Sequence, residues 1–301
     1  MMGQAKTIQT RNEKMQQILE LQLNNYYQNI AVSVFKWEGW PEQTMRIPRR
    51  QPEKMLYETG CFTIFKHPES GQFFALPVAS MNIQKNAYGE PAEWRAMALG
   101  QLAAPIGAMR LTPENAVLVR NDDTYSPSKP YVAELVRQLV NVEYTLRLNI
   151  NAQKVPFAVR SSQRRIMSDK NVAQQILECE PFIFLDEMSP SDFEPLDFNI
   201  QCKMAELNDA YNVYDQRILE FLGVDCVNRD KKERLVAEEA DANDEKINAI
   251  KTVKLEQRTD AVRLCQELWP DEMGSLKVSL SDHLMTPVRE DKEDDADDLN
   301  A

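Results

Sequence analysis

Arg229, Lys231, Lys232 and Arg234 stand within the six residues RDKKER. Four cations this close together can do one kind of chemistry well, which is to make weak, mobile contacts with phosphate oxygens. Lysine suits that task as a point charge on a flexible stem that can follow a moving backbone. The acids Glu238, Glu239, Asp241, Asp244 and Glu245 come next in the chain. A charge-rich solvated turn would have the same composition, and the sequence alone leaves both readings open. Two other basic runs, Arg46, Arg49, Arg50 and Arg160, Arg164, Arg165, read first as solubilising surface and second as a binding patch.

Covalent and acid–base chemistry finds little to work with. The chain has 2 histidines, His67 in the turn sequence KHPES and His283 in a polar stretch near the C-terminus. No glycine-rich phosphate loop followed by lysine occurs, nor HExxH, nor GxSxG. The acids are numerous, but no spacing marks a general acid and base pair. Five cysteines, Cys61, Cys179, Cys202, Cys226 and Cys265, are scattered without a CxxC pair. That argues against a disulfide framework or a zinc site and for a reducing compartment. The reading is a non-catalytic protein with no cofactor and no metal.

The balance of 35 basic against 47 acidic residues gives a formal net charge of −12. An acidic chain repels phosphates in general, so any nucleic-acid contact must come from a local basic patch or from a channel through which DNA slides without sticking. No run approaches a membrane span, and the polar N-terminus lacks the apolar stretch of a signal peptide. The expectation is a soluble protein made in a cytoplasm, with no membrane partner. Glycine is scarce at 9 and proline plentiful at 16, which favours long regular elements joined by stiff connections.

These elements must position the cations. Residues 1–10 read as a mobile arm. From Arg11 to Phe35, Met15, Leu19, Leu23, Tyr26, Tyr27, Ile30 and Val34 mark one face of a long helix. Residues 41–55 read as a proline- and arginine-containing connection. Strands are expected at 61–66, 72–79 and 116–120. A second long helix covers 129–150 on the stripe Val132, Leu135, Val136, Leu139, Val142 and Leu146. Strand 155–160, a helix near 168–179 and strand 182–185 read as a small βαβ-type unit. The third long helix carries Ile200, Met204, Leu207, Tyr211, Tyr214, Ile218 and Phe221 or Leu222, alternating steps of four and three. This heptad-type seam packs either inside its own subunit or also on neighbouring copies. At 1.5 Å per residue it spans about 35 Å, and Gly223 sits where a terminating glycine belongs. A shorter helix near 259–269, a strand near 276–280 and a disordered acidic tail complete the reading.

Three stretches then carry a family resemblance. The first is FKWE at 35–38 followed by Pro41, with Glu53, Lys54 and the segment from Gly60 to Phe65, Lys66 and Pro68. The second is Asn151 to Pro156, leading into an apolar strand that ends at Arg160. The third is Phe221 to Gly223, then KKERLV at 231–236 and Asn243 to Glu245. Over roughly residues 11–280 the chain resembles the upper-collar connector, or portal, proteins of small picovirus-type tailed phages, the group whose best-known member infects Bacillus. The resemblance implies an α+β, mainly helical portal fold. Three long stem helices carry a β-containing wing insertion, and a channel loop projects into the lumen. In this chain it implies an arm at 1–10, a first stem helix with its connection at 11–56, a wing at 57–128, a second stem helix at 129–153 and a wing unit at 154–199. A third stem helix follows at 200–223, then a channel loop at 224–245, a C-terminal crown at 246–285 and a tail at 286–301.

The implied job is a ring, of twelve copies in the family, at one capsid vertex of the virion. It nucleates prohead assembly with scaffolding and major capsid proteins in the host cytoplasm. It docks a packaging ATPase, passes double-stranded DNA, and later joins the lower collar and tail. Lys231 and Lys232 match the family's lumen-loop lysines, with Arg234 in the same motif and Arg229 beside it. The stem helix departs from the pattern, since Glu206 and Tyr211 stand where the best-known relative has channel-facing lysines. The family's arm can bind a packaging RNA, and here too this chain departs from the pattern, its arm being less basic, with Lys6, Arg11 and Lys14 only. Besides the portal ring, another head–tail collar component or a nucleotide-using enzyme remains as an alternative reading.

Overall fold

The computed structural model describes residues 2–42, 44, 47–81, 85–98, 103–154, 157–159, 193–195, 202–224 and 237–281. They fall into two compact units. Unit 1 combines Met1–Asn25 with Tyr131–Ile218, and unit 2 combines Tyr26–Pro130 with Leu219–Ala301.

Unit 2 is built on an antiparallel four-stranded sheet. Its strands are β2 (Cys61–Lys66), β3 (Phe73–Met81), β4 (Trp94–Ala96) and β5 (Ala116–Arg120), in the order β4-β3-β2-β5. The run CFTIFK of β2 does not alternate, because the strand is buried on both faces. Phe62 and Ile64 join one buried cluster with Met55, Leu56, Val117, Val119, Ala261, Val262 and Cys265. Phe65 joins a second with Phe74, Trp94, Ile106 and Leu111. Full burial of each such side chain contributes about 1.5–3 kcal/mol. Thr63, also buried, satisfies its hydroxyl by accepting from the Trp94 indole N–H at 2.9 Å and donating to the Val117 carbonyl at 3.3 Å. Proline inside a paired strand is unusual. Pro77 sits in β3 just before a register shift between Val78 and Ser80, and its carbonyl accepts from the Met97 N–H at 2.8 Å.

Several elements differ from the sequence reading. The first helix, α1, is Met2–Ala31. Its start corrects the expected arm at 1–10, where Gln4, Ala5, Lys6 and Arg11 are good helix formers and no glycine or proline occurs between Gly3 and Gly39. Its end corrects the expected stop near Phe35. The residues Val32, Val34, Phe35 and Trp37 are buried and β-branched or aromatic. Residues Phe35–Glu38 leave the helix as strand β1, which pairs antiparallel with Lys277–Leu280, the last strand, with Trp37 opposite Val278. The expected connection at 41–55 contains the start of helix α2 (Gln51–Thr59), whose Pro52 occupies the first turn, where a missing N–H costs nothing. A short helix, α3 (Ala103–Gly107), lies between β4 and β5.

The largest correction concerns the C-terminal third. A loop was expected through residue 245 and a helix only near 259–269. The chain is helical from Ala237 to Leu268, followed by a single turn at Pro270–Met273. The segment is rich in Ala, Glu and Lys, which favour helix. Its buried positions are Ile247, Lys254, Arg258, Ala261, Val262 and Cys265. Two of the positions that would carry the apolar stripe hold cations, so the periodicity search failed there.

In unit 1, α4 (Lys129–Lys154) buries Val132, Val136, Leu139 and Val140. It lies beside α1, where Arg137 bonds Glu20 at 3.3 Å and Arg147 reaches the Met15 sulfur at 3.6 Å. Strand β6 (Phe157–Val159) pairs antiparallel with β7 (Phe193–Pro195), a strand hidden in the sequence by its flanking Ser, Pro and Asp residues. The second strand of the expected βαβ-type unit, at 182–185, is a different segment from β7. The helix expected at 168–179, the strand at 182–185 and the tail at 286–301 lie outside the described residues. Helix α5 is Met204–Leu222.

Candidate nucleic-acid loop and its roots

The third helix ends as its glycine requires. Gly223 adopts φ +80°, its N–H donates to the Glu220 carbonyl at 3.0 Å, and the Val224 N–H donates to the Leu219 carbonyl at 2.9 Å. This is a Schellman closure, which satisfies two of the carbonyls that a helix end leaves unpaired. A third, on Phe221, accepts from the Lys254 ammonium at 2.9 Å, and the same ammonium lies 5.0 Å from the centre of the Phe221 ring. A cation at a helix C-terminus also complements the helix dipole. A Cβ on Gly223 would come to 3.0 Å from the Lys251 side chain. The end of α5 and the helix 237–268, here α6, are therefore held together at Phe221 to Val224 and Lys251 to Lys254. The first of these stretches is where the chain leaves α5 for the basic segment; the second lies four to five turns inside α6, about 21–26 Å along the helix from its start at Ala237.

One turn further along α6, Arg258 is buried with 2% of its side chain exposed, against 4% for Glu53 of α2. All five guanidinium N–H groups have acceptors. Nε and Nη2 donate to the two Glu53 oxygens at 2.8 and 2.7 Å. Nη1 donates to the Lys254 carbonyl at 2.8 Å and more weakly to the Asn121 carbonyl at 3.4 Å, and Nη2 reaches the Asn121 side chain at 3.4 Å. The Phe35 ring stacks on the guanidinium at 4.2 Å, and the Trp37 indole N–H donates to Glu53 at 2.8 Å. Asn121 is fixed in turn by donating to Ser126 and Ser128, both at 3.0 Å. Burial, with the nearby Arg258 charge, pulls the Lys254 ammonium down to about 8, against the pull of Glu53 and Asp122.

The expected site residues are distributed unevenly in the structure. Arg229, Lys231, Lys232 and Arg234 lie outside the described residues, as does Ile200. Of the seam, Met204, Leu207, Tyr211 and Tyr214 are half-buried and Ile218 is buried, while Glu206 is exposed. Lys6 and Arg11 fall within α1, and Lys14 on the same helix is exposed. Arg49 and Arg50 are exposed just before α2. His67 is in a turn, its ring nitrogen accepting from the Ser70 N–H at 3.3 Å. The sequence reading missed Glu53, Asn121, Lys254 and Arg258. The available signal was a cation pair at i and i+4 in phase with Ile247, Ala261 and Cys265, which marks buried, partnered charge. Among the described residues no cluster of metal-binding side chains occurs, and no helix is long and apolar enough to cross a membrane.

Three solved structures are similar to this chain. The portal and tail of native bacteriophage P68 gives 16% identity over 87% of each chain, at a TM-score of 0.45. An HK97-family phage portal protein from Corynebacterium diphtheriae gives 11% identity over 87% of this chain and 91% of that one, at 0.46. The neck of an empty gene transfer agent particle gives 11% over 89% and 81%, also at 0.46. The family model described as Phage Connector (GP10) matches residues 4–281. With almost its whole length matched, this chain belongs to the phage connector family, the structural proteins that form the portal ring of the virion through which DNA is packaged and head is joined to tail.

Proposed function

We propose that the chain forms a closed ring of twelve copies whose lumen passes double-stranded DNA, with α1, α4 and α5 as its stem. Lys231 and Lys232, helped by Arg229 and Arg234, touch the DNA backbone. The observation that carries this reading is a cluster of four cations in RDKKER on a chain of net charge −12, placed in sequence just after α5, whose end is fastened to the middle of α6. A largely acidic lumen keeps DNA from adhering, so it slides. A narrow basic ring resists outward slip through contacts that are individually weak and screened by salt.

The ring is assembled in the host cytoplasm with scaffolding and major capsid proteins. A packaging ATPase docks on it during filling, and the lower collar and tail follow. A role for Lys6, Arg11 and Lys14, in the first half of α1, in holding a packaging RNA belongs to the same reading.

Two experiments test it. Imaging of the purified full-length chain should show closed twelve-membered rings with a central pore; a monomer would sink the reading. Heads carrying Lys231→Ala with Lys232→Ala should fill normally and then lose DNA. Retention equal to wild type would refute the grip.

A further inference from the structure

The end of α5, where the chain enters the basic segment, is not held to α6 through apolar packing alone. Lys254 donates to the Phe221 carbonyl at 2.9 Å, Arg258 donates to the Lys254 carbonyl at 2.8 Å, and Arg258 is gripped by both oxygens of Glu53 at 2.8 and 2.7 Å. This chain of contacts runs without a break from the last turn of α5, through one turn of α6, to α2 and to Asn121 at the end of β5. Every side chain in it is buried or shielded: Lys254 is 8% exposed and Asn121 4%. Such a line of charge is costly to bury unless each member is partnered. An apolar residue at 254 would fill the space as well and would spare that cost. What methionine cannot do is donate a hydrogen bond to the Phe221 carbonyl at the helix end.

We propose that Lys254 is the positioning residue of the channel loop's first root, clamping the end of α5 to the middle of α6, and that Arg258 fastens this clamp to the sheet of unit 2. This rests on the reading of residues 229–234 as the DNA-contacting segment. Under it, force on the loop from DNA is borne by the sheet and not by the last turn of a helix.

The test uses assembled rings of the full chain and follows amide hydrogen exchange at Gly223 and Val224, whose N–H groups close the α5 end. Lys254→Met should speed exchange there about tenfold while Ile64 and Val117 in the sheet keep wild-type rates. Lys254→Arg, which keeps a donor, should restore protection to within about twofold. Unchanged exchange at Gly223 and Val224 in Lys254→Met overturns the proposal, and so does equal acceleration in the sheet, which marks a general loss of stability. Heads built with Lys254→Met should also lose packaged DNA faster than wild type. If the Lys231→Ala, Lys232→Ala heads keep their DNA, it is the grip reading that fails, and the exchange result still judges Lys254.

Discussion

Arg258 and Glu53 form a fork-to-fork ion pair, with 2.8 and 2.7 Å contacts, between side chains that are only 2% and 4% exposed. Phe35, Trp37, Asn121 and Lys254 surround it. It ties β1, α2, the turn after β5 and α6 at one point. Arginine is the residue for such a place, because its planar fork meets a carboxylate at two points.

Removing one partner should therefore be far worse than removing both. Arg258→Met alone leaves the Glu53 carboxylate buried without its counter-ion and should cost about 3–5 kcal/mol. Glu53→Leu with Arg258→Met should cost clearly less than the sum of the two single changes. Chemical denaturation of the four proteins of this double-mutant cycle checks it. Additive costs would show that the two side chains act independently.

Two glycines should rank differently. Gly223 at φ +80° would place a Cβ 3.0 Å from the flexible Lys251 side chain, which can move aside. Gly223→Ala should then cost about 1–2 kcal/mol, the ordinary price of a left-handed residue with a side chain. Gly39 at φ +75° would place a Cβ 1.8 Å from the Ser275 backbone oxygen. Gly39→Ala cannot be relieved by a rotamer change and should cost more than Gly223→Ala, in the same denaturation assay, through separation of the ends of β1 and of the strand Lys277–Leu280.

The sheet was legible in the sequence and much of the C-terminal helix was not, for a single physical reason. CFTIFK and AVLVR are buried by apolar residues, so their composition shows their burial. Helix 237–268 is anchored where Lys254 and Arg258 turn inward, so a search for apolar periodicity finds only its last third. Strand β1 was hidden similarly. Val34 fits the phase of the preceding helix, and only its tertiary partner, the strand containing Val278, makes FKWE extended. The termination at Gly223 needed no tertiary information, because glycine states its own conformation. The basic segment was visible by composition. The clamp that supports its first root was invisible, because it depends on Glu53, far away in the chain.

Lys254 gives a pH signature. Its folded value of about 8 lies below the ordinary 10.5. Between these values the folded chain binds fewer protons than the unfolded chain, so this group makes stability rise with pH across that window, by up to about 1.4 kcal/mol per pH unit. Falling pH removes the contribution as it passes through 8. The buried thiols of Cys61 and Cys265, raised to about 11 and about 12, work in the opposite direction above pH 9. They cancel when the stability of Lys254→Met is subtracted from that of wild type. The difference, from urea denaturation at pH 7 to 10, should be flat below 8 and climb in favour of wild type above it. A flat difference throughout would mean that Lys254 is not desolvated.

The grip itself should be recognisable by salt. Each lysine–phosphate contact releases condensed counterions, so affinity falls with a log–log slope of about −0.9 per duplex phosphate neutralised. Wild-type filled heads should therefore leak DNA faster as salt is raised. Heads with Lys231→Ala and Lys232→Ala should leak fast already at low salt, with a shallower dependence, because fewer counterions are at stake. Internal DNA pressure also changes with salt and acts on both heads alike. The informative quantity is the difference between the two slopes. Equal slopes would place the salt-sensitive step elsewhere than at these lysines. A steeper wild-type slope together with normal filling of both heads would identify them as a brake that acts on DNA leaving and not on DNA entering.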